Sequence, residues 1–169
     1  MFCYRGVSFW CYILLMSLDE LDYRILQVLQ RDGRISNQDL ADEVGLSPSP
    51  CLRRVRRLES TGIVQKYVAL LSPAAVGKPL HVFVEVRLDR QTGTARERFE
   101  AEVLKSPVVL QCHIIAGDWD YLLHVVVSDL DELRDFHMNR LGKIPGISNV
   151  KSNISMKLVK YSTMLPLNR

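Results

Sequence analysis

Between residues 17 and 62 the apolar positions recur every three to four residues, a spacing typical of helices. Ser17 and Glu20 predict a capping box at the start of a first helix, which is expected to stop at Gly33. Its apolar positions are Leu18, Leu21, Ile25, Val28 and Leu29. The pattern therefore predicts an amphipathic helix with one face in a core.

Two shorter helices are predicted after the first one. Ser36, with Asp39 three residues later, is typical of a helix start, and Gly45 is typical of its end. Ser47 then caps a third helix with Pro48 at its first position, where a missing N–H costs nothing. Three short helices, the last two joined by a tight turn, predict a helix-turn-helix domain of the winged-helix-like kind.

The third helix carries four arginines within positions 53–57. On a wheel of about 100° per residue, its apolar face centres on Val55. That face is predicted to contain Cys51, Leu52, Val55 and Leu58. Arg53 and Arg57 point directly away from it, and the other two arginines lie on the flanks. The arginines are therefore expected to form a ridge opposite the core.

A second pattern begins after residues 63–79, which are predicted as a strand and a linker containing proline and glycine. Residues 80–88 alternate between apolar and polar positions, as a half-buried strand does. Thr94 and Glu97 predict the start of the following helix. Its apolar positions are Phe99, Val103 and Leu104.

Two apolar strands, at residues 108–116 and 119–127, flank Gly117-Asp118, which suits a two-residue hairpin turn. Asp129 and Glu132 predict the start of another helix, and a final strand is predicted over residues 147–162. The apolar positions of that helix are Leu133, Phe136 and Leu141. The order βαββαβ predicts a ferredoxin-like domain, so the chain as a whole belongs to the α+β class.

Two helices can cover only one face of a four-stranded sheet. The other face is predicted to present the apolar residues Phe83, Val109, Leu122 and Val126. An exposed apolar face predicts a partner, most economically a second copy of the same chain. The predicted division is an extension at 1–16, a helix-turn-helix domain at 17–65, a strand and linker at 66–79 and a ferredoxin-like domain at 80–169.

Composition by itself does not indicate a nucleic-acid partner, because the net charge is only +3. Acidic residues crowd the first two helices and arginines the third, and this local separation is more informative than the total.

The four cysteines have no CxxC spacing, which favours reduced thiols in a cytoplasmic protein. The apolar residues 1–16 imitate a short signal peptide. No cleavage site follows and the stretch is too short to span a bilayer, so an upstream extension is predicted.

Residues 17–169 resemble the Lrp/AsnC family, the leucine-responsive and asparagine-responsive regulators of bacteria and archaea. The resemblance rests on "LDELDYRILQVLQRDGRISNQDLADEVGLSPSPCLRRVRRLESTGIV" followed by "GDWDYLL"; "KYVALLSP" and "VKYSTMLPL" also fit. It implies a transcription factor whose C-terminal domain oligomerises and senses amino acids. The expected partners are double-stranded DNA, a small amino-acid effector and further copies of the chain. The chain is expected to form a homodimer that assembles to a tetramer or octamer, and no membrane association is expected.

The arginine ridge is interpreted as a DNA-binding surface, although a charge run is more commonly a solvated helix face. Arginine forks can bridge guanine O6 and N7 or phosphate oxygens, and a helix N-terminus presents free N–H groups to the duplex. The start of the second helix is expected to contact phosphate. The predicted DNA-binding residues are Ser36, Asn37, Gln38, Ser47, Ser49, Pro50, Arg53, Arg54 and Arg57.

The stretch "GDWDYLL" has two interpretations, and turn chemistry alone explains its first two residues. The resemblance implies that this hairpin borders an effector pocket between neighbouring dimers. A free amino acid needs a negative or carbonyl partner for its ammonium group and N–H groups for its carboxylate. The predicted effector-binding residues are Gly117, Asp118, Asp120 and Tyr121.

A rival function is enzymatic, because some proteins that resemble this family are sirohaem decarboxylases whose helix-turn-helix is a remnant. His113 and His124 share one face of adjacent strands if the hairpin turn has two residues, and they keep that alternative open. The intact arginine-bearing helix argues against it. No further ligand is suitably spaced, so the histidines are interpreted as sheet packing, and no catalytic residue, metal site or cofactor is predicted. Cys51 and Cys112 are predicted to lie in the core.

Overall fold

The computed structural model describes residues 18–89 and 93–167. The predicted extension at 1–16 and the predicted cap Ser17 lie outside the described residues. The described residues form two compact units: those up to Ala69 together with those from Tyr161 onwards, and those within Leu70–Lys160. In the part of the chain that is described, no helix is long and apolar enough to cross a membrane.

The first unit contains the predicted three helices, which confirms this part of the fold. They are α1 (Glu20–Arg31), α2 (Asn37–Val44) and α3 (Pro48–Ser60). The predicted cap of α1 was wrong by two residues, because Asp19 occupies the cap position. Asp19 and Asp22 form the capping box, in which the carboxylate of each accepts a hydrogen bond from the backbone N–H of the other, at 2.9 and 3.0 Å.

The helices α2 and α3 begin where the sequence predicts. The Asp39 N–H donates to the Ser36 hydroxyl oxygen at 3.1 Å, and Gly45 caps the end of α2 with φ of 74°, a left-handed conformation that suits glycine. Ser47 stands at the cap of α3 and Pro48 at its first position. The Ser47 side chain makes no capping hydrogen bond, so the expected side-chain cap is absent there.

The buried stripe of α3 centres on Cys51 and Leu58, which are both fully buried. Val55 is half-buried, and Leu52, predicted to be in the core, is 37% exposed. The wheel centred on Val55 was therefore rotated by about 50° from the true orientation. The correction moves Arg57 from the back of the helix to the flank that faces α1.

Residues 63–79 contain no strand, so the strand predicted there was wrong for the single chain. A strand needs a hydrogen-bonded neighbour, and no other segment of the described chain pairs with this one. Five large apolar side chains of the segment are more than 40% exposed: Tyr67, Val68, Leu70, Leu71 and Val76.

The second unit is built on a four-stranded antiparallel sheet in the order β2-β3-β1-β4, with the predicted βαββαβ sequence of elements. The strands are β1 (Leu80–Leu88), β2 (Val109–Ile114), β3 (Tyr121–Val127) and β4 (Ile147–Ile154). The α+β class with a ferredoxin-like second domain is thus confirmed. The last strand ends at Ile154, and the predicted continuation to residue 162 is wrong.

Two helical segments cover one face of the sheet. They are α4 (Gly93–Leu104) and α5 (Leu130–Asp135), which continues as a π-helical turn (Phe136–Arg140) and a 3-10 turn (Leu141–Lys143). Asp129 caps α5 as predicted, since its carboxylate accepts the Glu132 N–H at 2.8 Å. Thr94 lies inside α4, not at its cap, and Leu104 is 87% exposed because α4 buries Phe99 and Val103 on its other side.

The open face of the sheet carries three of the four predicted apolar residues, Phe83, Leu122 and Val126, beside polar residues that include Glu85, Arg87 and Lys151, so it is only partly apolar. Val126 is already buried within the chain, and Val109 does not belong to this face. Phe83 is 41% exposed on this face, whereas Val109 packs with the helix-side core because a register shift between Val109 and Gln111 interrupts the alternation. Cys112, predicted to be in the core, is exposed on the edge strand β2.

Candidate nucleic-acid interface and effector site

Asp22 of α1 is a buried carboxylate that holds two arginines of α3. Its side chain is 1% exposed, Arg54 Nη1 donates to Asp22 Oδ1 at 2.9 Å, and Arg57 Nη2 donates to Asp22 Oδ2. A carboxylate at this depth is stable only when it is paired and hydrogen-bonded. Two of the predicted DNA-binding arginines therefore have a structural partner.

Asp19 completes this cluster at the solvent side. Arg54 Nη1 also donates to Asp19 Oδ2 at 2.7 Å, and Asp19 is half-exposed. The backbone N–H of Asp22, followed by Arg54, holds the pKa of Asp19 below its ordinary value, and the two carboxylates raise the pKa of Arg54. Two carboxylates and two guanidinium groups give a cluster with no net charge.

The outer face of α3 carries Ser49, Arg53 and Arg56, all of which are exposed. These positions are three and four residues apart, so they form one stripe opposite Cys51 and Leu58. Neither Arg53 nor Arg56 forms an ion pair with a described residue. Arg56 was missed as a site residue because the misplaced wheel put it on a flank; centring the wheel on Cys51 and Leu58 finds it.

The start of α2 is tied to the start of α3. Asn37 Nδ2 donates to the Pro48 carbonyl at 3.0 Å, which fixes the turn between the two helices, and the buried Asn37 Oδ1 has no hydrogen-bond partner among the described residues. Ser36 donates its hydroxyl to Asp39 at 2.7 Å, and Gln38 donates to Asp42 at 3.3 Å. Ser47 and Ser49 are exposed at the start of α3, and Pro50 is half-buried.

The effector hairpin, residues 115–120, connects β2 and β3. The Ile115 N–H donates to the Asp120 carbonyl at 3.0 Å, and the register fits Gly117-Asp118 at the centre. The regular strands stop at Ile114 and Tyr121, so the loop is wider than a two-residue turn. Gly117 has φ of 140°, which L side chains rarely adopt.

Contacts to β1 fix the shape of this hairpin. Asp120 Oδ2 accepts the Leu88 N–H at 2.8 Å, and the Asp120 N–H donates to the Val86 carbonyl at 3.0 Å. Arg87 Nε donates to the Asp118 carbonyl at 2.7 Å, and its guanidinium lies 5.1 Å from the centre of the Trp119 ring. Arg87 was not predicted from the sequence as a residue of this site. The signal that could have found it is a cationic residue at an outward-facing position of an apolar strand.

Tyr121 does not join the other three predicted effector residues. It is 1% exposed in the helix-side core, its ring centre is 4.4 Å from that of Phe99, and its hydroxyl donates to Glu100 at 2.8 Å. Burial, followed by the Glu100 carboxylate, raises the pKa of Tyr121. The three remaining residues, Gly117, Asp118 and Asp120, lie together in the hairpin.

The histidines of the open sheet face form a different pair from the one that the sequence suggested. His113 and His124 do share a face, but His124 Nε2 lies 2.9 Å from His81 Nδ1, and the His124 ring lies 5.0 Å from that of Phe83. The His81 and His124 ring centres are 5.1 Å apart with an interplanar angle of 23°, so the rings meet edge to edge through an N–H···N hydrogen bond. No described group of three or more His, Cys, Asp or Glu residues could hold a metal ion.

Comparison with known proteins supplies the family. Residues 18–65 match the winged helix-turn-helix DNA-binding domain, and residues 81–165 match the Lrp/AsnC ligand-binding domain. The leucine-responsive regulatory protein of Salmonella typhimurium is 45% identical over 148 residues, which cover 88% of this chain and 90% of that protein. The chain belongs to the Lrp/AsnC family.

Solved Lrp/AsnC structures agree with the fold described above. A transcriptional regulator from Neisseria meningitidis, crystallised in complex with L-methionine, has a TM-score of 0.87 and 44% identity, and the match covers 90% of this chain and 98% of that one. An AsnC family regulator from Agrobacterium tumefaciens has a TM-score of 0.84 and 39% identity, over 88% and 97% of the two chains.

Family membership gives the two units their roles. The helix-turn-helix unit binds DNA, and the sheet unit is the ligand-binding domain. The protein is a DNA-binding transcriptional regulator of the Lrp/AsnC type.

Proposed function

We propose that the outer face of α3 is the surface that enters the DNA major groove. The observation that carries this proposal is the exposure of Ser49, Arg53 and Arg56 on the side of α3 opposite its buried stripe. Such a helix can place guanidinium groups against guanine edges or phosphates. Ser47 adds an exposed hydroxyl at the helix start.

The start of α2 is the second part of the proposed interface. Ser36 and Gln38 are exposed and can donate to phosphate oxygens, which positions a protein on the duplex without reading sequence. Asn37 acts indirectly, since its amide holds Pro48 at the start of α3. Arg54 and Arg57 remain next to the duplex, but Asp19 and Asp22 together offset their charge.

A gel-shift titration against the DNA upstream of the protein's own gene tests this interface. Specific binding that weakens linearly in log affinity against log salt is expected. Arg53→Ala should weaken binding, whereas Arg24→Ala, which removes an arginine paired with Glu20 on α1, is the matched control. Equal affinities for both variants would remove the outer face of α3 from the interface.

The effector is proposed to bind at the hairpin through Asp118 and Asp120. Two carboxylates can accept hydrogen bonds from an ammonium group, and the backbone around Gly117 can offer N–H groups to a carboxylate. The methionine complex of the Neisseria regulator and the leucine-responsive names of the curated relatives support an aliphatic or thioether amino acid. A thermal-shift screen of the twenty amino acids tests the class, because a ligand of the native state raises the melting temperature.

The assembly proposed is a homodimer that associates further into a tetramer or octamer. The exposed Phe83 and the half-buried Leu122 on the open face of the sheet, and the exposed apolar segment at residues 67–71, support it. Apolar surface of this kind is stable in water when a second copy covers it.

The protein is proposed not to be an enzyme and to act in the cytoplasm, where its DNA target is found. The arginine-bearing α3 supports a regulator over the sirohaem-decarboxylase alternative, because a tetrapyrrole enzyme has no use for such a helix. His124 bonds to His81, and His113 is exposed apart from them. The expected result is that the absorbance spectrum of a tetrapyrrole mixture does not change when the protein is added, while the protein does shift DNA in the gel assay.

A further inference from the structure

We propose that Asp22 is a positioning residue that sets the DNA-facing charge of α3. It holds Arg54 and Arg57 against α1 and leaves Arg53 and Arg56 to contact DNA. This inference rests on the proposed use of α3 as the DNA-contacting helix.

Burial makes the Asp22 contacts persistent. The Asp22 side chain is 1% exposed, and both of its oxygens are occupied by guanidinium groups. Pulling either arginine towards a phosphate would leave a buried carboxylate short of a partner, which is strongly unfavourable. A contact between the arginine and a DNA phosphate would form at the solvated surface of the duplex, and it cannot compensate fully for the loss of the buried ion pair.

Asp19 differs from Asp22 in this respect. Its side chain is 51% exposed and shares Arg54 with Asp22 at 2.7 Å. An exposed ion pair of this kind contributes little and exchanges readily. Asp19 can therefore release Arg54, whereas Asp22 keeps both arginines in place. The buried Asp22 carboxylate thus limits how far the side chains of Arg54 and Arg57 can extend from α3.

The consequence concerns discrimination between DNA sequences. Arginines that reach phosphate strengthen binding to every sequence alike, while contacts to base edges distinguish sequences. By holding two of the four arginines against α1 and, together with Asp19, balancing their charge, Asp22 lowers sequence-independent attraction and leaves the binding energy to Arg53, Arg56 and the polar groups at the helix start.

The test compares Asp22→Asn with wild type in binding to the own-gene upstream DNA and to unrelated DNA, over a series of salt concentrations. The slope of log affinity against log salt should steepen by about 0.9 for each arginine released on each bound helix. Affinity for unrelated DNA should rise and the ratio between the two DNAs should fall. Glu20→Gln is the matched control, since it removes one carboxylate that pairs with an arginine on α1 itself, Arg24.

A second measurement does not depend on the folding of Asp22→Asn. Arg53→Gln should flatten the salt slope by about 0.9 per bound helix, whereas Arg57→Gln should leave it nearly unchanged because Asp22 already neutralises that charge. Equal flattening by both variants would overturn the inference, as would an unchanged slope in folded Asp22→Asn. If wild type shows no salt-dependent DNA binding at all, the proposed function fails first, and the two failures are thereby distinguished.

Discussion

Gln30 and Leu165 are joined by two hydrogen bonds between one side-chain amide and one backbone unit. The Leu165 N–H donates to Gln30 Oε1 at 2.6 Å, and Gln30 Nε2 donates to the Leu165 carbonyl at 3.3 Å. Gln27 Nε2 adds a bond to the Leu167 carbonyl at 3.4 Å, and Leu167 packs against the core of the helix-turn-helix unit. The C-terminal segment of the chain thus belongs structurally to the DNA-binding unit.

This contact predicts that Gln30→Ala lowers the free energy of unfolding of the first unit by about 0.5–1.5 kcal/mol, the net contribution of such hydrogen bonds. Chemical denaturation followed by far-ultraviolet circular dichroism measures it. Gln38→Ala is the control, because the Gln38 amide bonds within its own helix to Asp42. Equal stabilities for the two variants would show that the C-terminal segment does not support the unit.

The arginines of α3 should differ in their effect on stability. Arg57→Ala leaves the buried Asp22 with Arg54 as its single arginine partner and should cost about 1–3 kcal/mol. Arg53→Ala removes an exposed side chain without an ion-pair partner in the described chain and should cost no more than about 0.5 kcal/mol. Thermal denaturation of the two variants checks this, and similar losses from both would contradict the assignment of Arg57 to Asp22.

The effector hairpin yields a prediction about Asp120. Asp120→Asn keeps an oxygen that can accept the Leu88 N–H but removes the charge, so it should lower effector affinity about ten- to a hundredfold with the fold intact. Ligand titration by thermal shift or calorimetry measures the loss. Asp131→Asn, which removes an exposed carboxylate on α5, is the matched control. DNA binding without ligand should be unchanged in both variants.

The open sheet face predicts the effect of a charge at Phe83. Phe83→Glu should dissociate the proposed dimer at micromolar concentration, because a carboxylate would have to be buried in an apolar contact. Leu130→Glu, at a position that is 62% exposed on the helix side, should leave the assembly as it is. Sedimentation velocity compares the two. A Phe83→Glu protein that sediments like wild type would move the dimer contact elsewhere.

The histidines predict a loss of stability in mild acid. Burial, followed by the neighbouring His81, lowers the pKa of His124, and burial lowers the pKa of His137. The unfolded chain therefore binds protons first as the pH falls, so this contribution to stability is complete above about pH 6.5 and is lost as the pH falls through the ordinary histidine pKa towards the lowered one.

The slope should not exceed about 1.4 kcal/mol per pH unit for each histidine. His124→Gln should remove part of it, and the double variant with His137→Gln should remove most of it. Unfolding free energies measured between mildly acidic and neutral pH test both statements. A His124→Gln protein whose stability falls as steeply as that of wild type would assign the slope to other groups.

The sequence by itself determined the order and type of most elements, because local signals specify them. Ser36, Gly45 and Asp129 mark helix ends through their own side chains or backbone freedom, and the alternation at residues 80–88 specifies a half-buried strand. These signals act over a few residues, so they can be read without knowing what the segment packs against.

Only the tertiary structure decided which groups meet across elements. The rotation of α3 about its axis depends on the side chains that α1 and α2 present to it. That rotation brings Arg57 into contact with Asp22, which lies 35 positions away in the sequence, and leaves Arg56 on the outer face. In the same way, the bulge in β2 turned Val109 towards the helices, and the register between β1 and β3 brought His81 to His124. A helical wheel or an alternating pattern fixes the spacing of side chains, but the direction in which they point is set by the packing of distant elements.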